Sequence, residues 1–97
     1  MQRPGQGLLA ADLVDQFPDG VFFVPLASVL APDLVPSAIA SAIGVAEGAS
    51  TPIDRVIGHL RTSRTLLVLD NFEQVLPAAP IVATILRMTE HVKVLVT

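Results

Sequence analysis

Leu66-Leu67-Val68-Leu69-Asp70-Asn71-Phe72-Glu73 is the stretch on which the fold turns. Four apolar residues run without alternation and end in a carboxylate. A strand with one wet face alternates apolar and polar residues, whereas an unbroken short run fits a strand buried on both faces of a parallel sheet. Parallel neighbours need long crossover connections, so helices are expected on either side of this run in sequence.

Upstream, the expected helices are present as patterns. Thr51 is a cap residue followed by Pro52 at the first helical position and Asp54 three residues after the cap. Ile53, Val56, Ile57 and Leu60 then form an i, i+3, i+4, i+7 stripe. Before it, Asp33 reads as an N-cap with Pro36 in the first turn. Ala38, Ile39, Ala42 and Ile43 supply an apolar face, and Gly44 is placed to end that helix. Gly48, Ala49 and Ser50 link the two. Earlier still, Val21-Phe22-Phe23-Val24 reads as a strand ending near Leu26, with Pro25 pointing to an edge position or a strand end. Pro18-Asp19-Gly20 separates this strand from a helix expected over about Gly7 to Phe17, with Leu9, Leu13, Val14 and Phe17 on its apolar face.

Downstream, Pro80 opens a helix with Ile81, Val82, Ile85 and Leu86 inward, and Val92 to Thr97 is a third strand. Strands alternating with helices give an α/β fold with a parallel sheet of about three strands flanked by helices, and right-handed crossovers. No internal repeat or low-complexity tract interrupts the 97 residues, which make one small domain at most.

Composition narrows the function classes. Hydrophobic residues make up 52% and charged residues 15%, so part of the apolar sequence is expected to be covered by neighbours. A net charge of -3 argues against direct nucleic-acid binding, which needs clustered Lys and Arg. The chain has no cysteine, which rules out disulfides and thiolate metal sites. Pro25, Pro32, Asp33, Pro36 and Asp54 break the apolar stretches before any reaches the roughly 18 residues of a spanning helix. Met1-Gln2-Arg3-Pro4-Gly5 has no clean apolar run behind it before Asp12, so no signal peptide is read. A cytoplasmic location is the default expectation, with no membrane association.

The chemistry concentrates at the end of the central run. In open α/β sheets ligands bind at the carboxyl ends of the strands. An apolar strand delivering Asp70 to that edge is the Walker B pattern, in which the carboxylate holds magnesium, usually through water, beside nucleotide phosphates. Many α/β strands also end in a solvated or capping Asp, and the pattern alone does not separate the two.

The run Phe17 to Ala27, then Asp33-Leu-Val-Pro36, then Leu66 to Glu73 and Val94-Leu-Val-Thr97 resembles, in order and spacing, the NTPase domain of bacterial STAND-type regulators. These are relatives of the NB-ARC domain found in large transcriptional regulators, including LuxR-type proteins. The resemblance spans about Ala10 to Thr97, and Asp70-Asn71-Phe72-Glu73 is its most specific part. It implies a partial P-loop NTPase three-layer fold, with ATP or ADP and Mg2+ as ligands. It also implies Asp70 as the magnesium-associated acid, acting only if a phosphate loop is supplied, with Asn71 beside it at the cofactor. Many related NTPases have a second acid where Asn71 stands, and an amide cannot act as a base. Glu73 is the nearby acidic candidate, with helix capping or solvation as its other reading.

Two departures limit the activity expected. The family's phosphate loop closes in Gly-Lys-Ser/Thr ahead of the first helix. That place holds Arg3-Pro-Gly-Gln-Gly-Leu8, and the only lysine is Lys93. The family also continues the last strand into Ser-Arg, whose arginine senses the nucleotide. The strand before the phosphate loop is missing too, and its loss leaves a gap that the sheet must close or leave exposed. About three lost charge-assisted hydrogen bonds amount to roughly 4.5–9 kcal/mol. That is about three to six orders of magnitude in affinity. These 97 residues are therefore expected to be a truncated fragment that neither hydrolyses nor tightly binds ATP alone.

Other candidates are weaker. His59 and His91 have no acidic or histidine neighbour at a ligand spacing, and read as surface and loop residues. Arg61 and Arg64 flank a helix end, where positive charge suits the dipole. A receiver-like domain with Asp70 as phosphoacceptor would need an acidic pair near the first strand end. Val21 to Leu26 contains no acid, and Lys93 enters its strand instead of leaving it. A non-catalytic interaction module is the remaining alternative, self-associating or binding partner chains through exposed sheet edges.

Overall fold

The computed structural model describes residues 15–46 and 48–97. Three strands, β1 (Val21–Pro25), β2 (Leu66–Asp70) and β3 (Lys93–Val96), form a parallel sheet in the order β1-β2-β3. Helices α1 (Val35–Ile43) and α2 (Pro52–Leu60) lie between the first two strands in sequence, and α3 (Ala79–Met88) between the last two. The fold is α/β, a three-stranded parallel sheet flanked by helices. Of the helix expected over Gly7 to Phe17, residues 7–14 lie outside the described part, while Asp15 and Gln16 are helical.

β1 is an edge strand, as Pro25 requires. Leu26 N–H donates to the Asp70 carbonyl at 3.1 Å, so the adjacent Pro25 nitrogen faces the open side, where a missing donor leaves no broken ladder bond. Gly20 starts the strand with φ 125°, a backbone state that side chains rarely adopt, and its N–H closes a turn on the Phe17 carbonyl at 2.9 Å.

Each helix boundary has a local cause. Thr51 Oγ1 accepts from Asp54 N–H at 3.3 Å and caps α2, with Pro52 in the first turn. Gly44 ends α1 in the left-handed conformation, φ 80°, its N–H reaching back to the Ala40 and Ser41 carbonyls. Asp33 is not the N-cap of α1. It lies inside a 3-10 turn, Pro32–Leu34, and α1 starts at Val35 after Leu34, with no side-chain cap. Pro36 needs no N–H partner in the first turn, which sets this later start. In α3 the buried face runs through Val82 and Ile85, with Ala78 just ahead of the helix. Leu86 is 41% exposed, so it stands at the margin of that face instead of turning inward.

The core is one-sided. Val24, Leu67 and Leu69 are fully buried and cluster with Val35, Ile39 and Ile43 of α1, Val56, Ile57 and Leu60 of α2, and Val82 and Ile85 of α3. The other face carries the row Phe23, Val68, Leu95, aligned by register across the three strands. There Val68 is half-buried while Phe23 and Leu95 are 58% and 52% exposed. β2 is therefore not closed off on both faces, as its unbroken apolar run suggested. Successive right-handed crossovers stepping the same way across a sheet place their helices on the same side, and the order β1-β2-β3 steps one way throughout. The three strands are contiguous, so no gap opens between them. Among the described residues the open edges of the sheet are β1 and β3.

Candidate functional site

Asp70 is the last residue of the central strand and sits between the ends of both neighbours. On one side Pro25 is its register partner in β1. On the other, Thr97 follows β3 and is tied to the β2 end by three hydrogen bonds. Thr97 N–H donates to the Leu69 carbonyl at 3.0 Å, and the Thr97 carbonyl accepts from Phe72 N–H at 3.1 Å. Thr97 Oγ1–H donates to Asp70 Oδ1 at 2.5 Å. One carboxylate oxygen is thus held by a neighbouring strand. Asp70 Oδ2 has no protein donor among the described side-chain hydrogen bonds.

Asn71 turns the chain out of the strand with φ 67° and ψ 39°. It is the one non-glycine residue with positive φ among those described, and asparagine tolerates this state better than most residues. Its carbonyl accepts from Gln74 N–H at 3.2 Å, starting the 3-10 segment Phe72–Ala78. Phe72 and Val75 then drop into the core. Asn71, expected beside Asp70 at the cofactor, has a backbone role in turning the chain out of β2. Glu73 is exposed in the first turn of the 3-10 segment.

The strand ends bring Asp70, Asn71 and Thr97 together, with Glu73 two residues further along the chain on the surface. Thr97 as a partner of Asp70 was not singled out from the sequence. The available signal was a hydroxyl residue directly after the apolar run Val94-Leu95-Val96, as Asp70 directly follows the apolar run Leu66 to Leu69. No group of three or more His, Cys, Asp or Glu that could hold a metal occurs among the described residues. His59 and His91 are exposed, on α2 and ahead of β3. Asp70 can serve as one ligand of a shared cation site, the manner in which Mg2+ is usually held, by one or two carboxylates plus waters and substrate phosphates.

No described helix is long and apolar enough to cross a membrane. Comparison of the chain with known protein families, with curated proteins and with solved structures found no match.

Proposed function

We propose that this chain supplies the Walker B part of an ATP- or ADP-binding NTPase domain of the STAND or NB-ARC kind, in a cytoplasmic bacterial regulator of the LuxR type. The observation that carries the proposal is the placement of Asp70: at the carboxyl end of the central parallel strand, one oxygen anchored by Thr97, the other without a protein donor among the described residues. In open α/β sheets this edge is where ligands bind. The residues fit the group in part. Asp70 would contribute a carboxylate to Mg2+, whose role is to neutralise charge on the phosphates. Asn71 and Thr97 fix the backbone and side chain around it. The phosphate-holding Gly-Lys-Ser/Thr sequence is not among the 97 residues, so the chain alone neither hydrolyses nor tightly binds ATP.

The test is a fusion in which a strand and a Gly-rich loop ending in Gly-Lys-Ser/Thr, taken from a STAND regulator, is joined ahead of Leu8. Titration calorimetry with Mg-ATP and Mg-ADP is expected to show saturable binding by the fusion and none by the chain itself. Asp70→Ala in the fusion should abolish the Mg2+ dependence. A folded fusion that binds no nucleotide, or binds it equally well with Asp70→Ala, would sink the proposal.

A second reading, an interaction module working through a sheet edge, is favoured by β3. Its apolar residues Leu95 and Val96 are 52% and 51% exposed along an unpaired edge, whereas the opposite edge is blunted by Pro25. Natural edge strands are usually protected by charge, proline or cover.

A further inference from the structure

At the opposite end of the sheet from Asp70, the strand entries enclose a hollow of about 280 Å3 lined by Gln16, Phe17, Arg64, Glu90, His91, Val92 and Lys93. Three separate segments meet there: the end of the helical residues before β1, the α2–β2 connection and the α3–β3 connection. We propose that this hollow is a binding site for a small phosphomonoester, with Arg64, Lys93 and His91 taking the phosphate and Gln16 and Glu90 meeting hydroxyl groups beside it.

The charge distribution is the first argument. The chain carries a net charge of -3, with six Lys and Arg in all, yet Arg64 and Lys93 line one concavity together with the His91 imidazole, against the single carboxylate of Glu90. Among the described residues no side-chain hydrogen bond or ion pair engages any of the three. The Asp19 carboxylate is engaged with the Arg64 backbone, and Glu90 is the one carboxylate among the described lining residues. Asp19 Oδ2 accepts from Arg64 N–H at 2.8 Å, while Asp19 N–H donates to the Arg64 carbonyl at 3.2 Å.

The second argument is rigidity of the roots. That double link fixes the Arg64 backbone. Lys93 N–H donates to the Thr65 carbonyl at 2.9 Å, and Glu90 N–H to the Arg61 carbonyl at 3.1 Å. Arg64 and Lys93 are therefore carried on anchored backbone, which lowers the ordering cost of binding. Phe17 and Val92, 7% and 9% exposed, give the hollow an apolar component. A guanidinium presents a planar fork suited to phosphate oxygens and an ammonium adds a compact charge. Glu90 repels added negative charge but accepts from hydroxyls, which favours a hydroxyl-bearing phosphomonoester over inorganic phosphate.

The test is an amide-resolved NMR titration of the full chain at low salt with ribose 5-phosphate and, separately, inorganic phosphate. The expected result is saturable shifts confined to Arg64 and Glu90 to Lys93, tighter for ribose 5-phosphate. Arg64→Ala should weaken it about tenfold, the loss of one charge-assisted contact. Arg64→Lys, which keeps the charge and loses the fork, should fall between the two, and both exposed substitutions should leave the circular dichroism spectrum unchanged. Shifts that do not saturate, that appear equally around Arg55 and Arg87, or that occur with inorganic phosphate but not with ribose 5-phosphate, would overturn the proposal. Because the site is remote from Asp70, Asp70→Ala is expected to leave this titration unaffected, so its outcome is independent of the nucleotide reading.

Discussion

Thr97 Oγ1 stands 2.5 Å from Asp70 Oδ1, so the ends of two neighbouring parallel strands are joined side chain to side chain across 27 positions of sequence. The bond does two things. It restrains the Asp70 carboxylate at the sheet edge, and with the two backbone bonds of Thr97 it fastens the free edge strand to the central one.

Thr97→Val keeps the shape of the side chain and removes the hydroxyl. The expected loss is about 1 kcal/mol, since the bond is exposed and its charged acceptor is partly screened. Urea unfolding followed by circular dichroism measures it, with Thr97→Ser expected to retain most of the stability. Equal midpoints for Val and the parent would mean the bond contributes nothing to folding.

Gly20→Ala tests the strand entry. At φ 125° an added Cβ would lie 2.7 Å from the Phe22 ring, which can move, but the backbone state itself is strained for alanine. A destabilisation of about 1–3 kcal/mol is expected by the same unfolding measurement. A neutral result would show that the turn relaxes to negative φ.

Thr51→Ala removes the Asp54 N–H acceptor at the start of α2. The expected cost is about 1 kcal/mol. Thr51→Ser should stay within a few tenths of a kcal/mol of the parent, because serine caps as well as threonine does. If alanine and serine variants unfold together, the cap is not contributing.

Val96→Lys tests the β3 edge. On the interaction reading the chain self-associates and the lysine shifts it toward monomer, as read by light scattering coupled to gel filtration. A parent chain that is monomeric at every concentration removes self-association from consideration and leaves a different partner strand or none.

Much of the layout was legible locally. Thr51, Pro52 and Gly44 set helix ends through hydrogen bonds spanning three to four residues, and such short-range effects are written in the chain order itself. Pro25 signalled an edge or a strand end, and it is both, because a missing donor has the same consequence in any sheet. The candidate acid was legible as well, since an apolar run ending in Asp70 has to deliver it to a strand end. Asp33 and Leu86 were misread for a common reason. Cap and stripe patterns tolerate a shift of a residue or two, and packing chooses among the shifts.

What the sequence by itself determined, then, is the alternation of strands and helices, their approximate limits and the carboxylate at the end of the central strand. Only the tertiary structure decided that all three described helices cover one face, leaving Phe23 and Leu95 exposed on the other, because that depends on the order and direction in which the strands assemble. It alone decided that Thr97 meets Asp70 and that Arg64 and Lys93 line one hollow. Each pair is far apart in the chain, and only parallel register brings its members together.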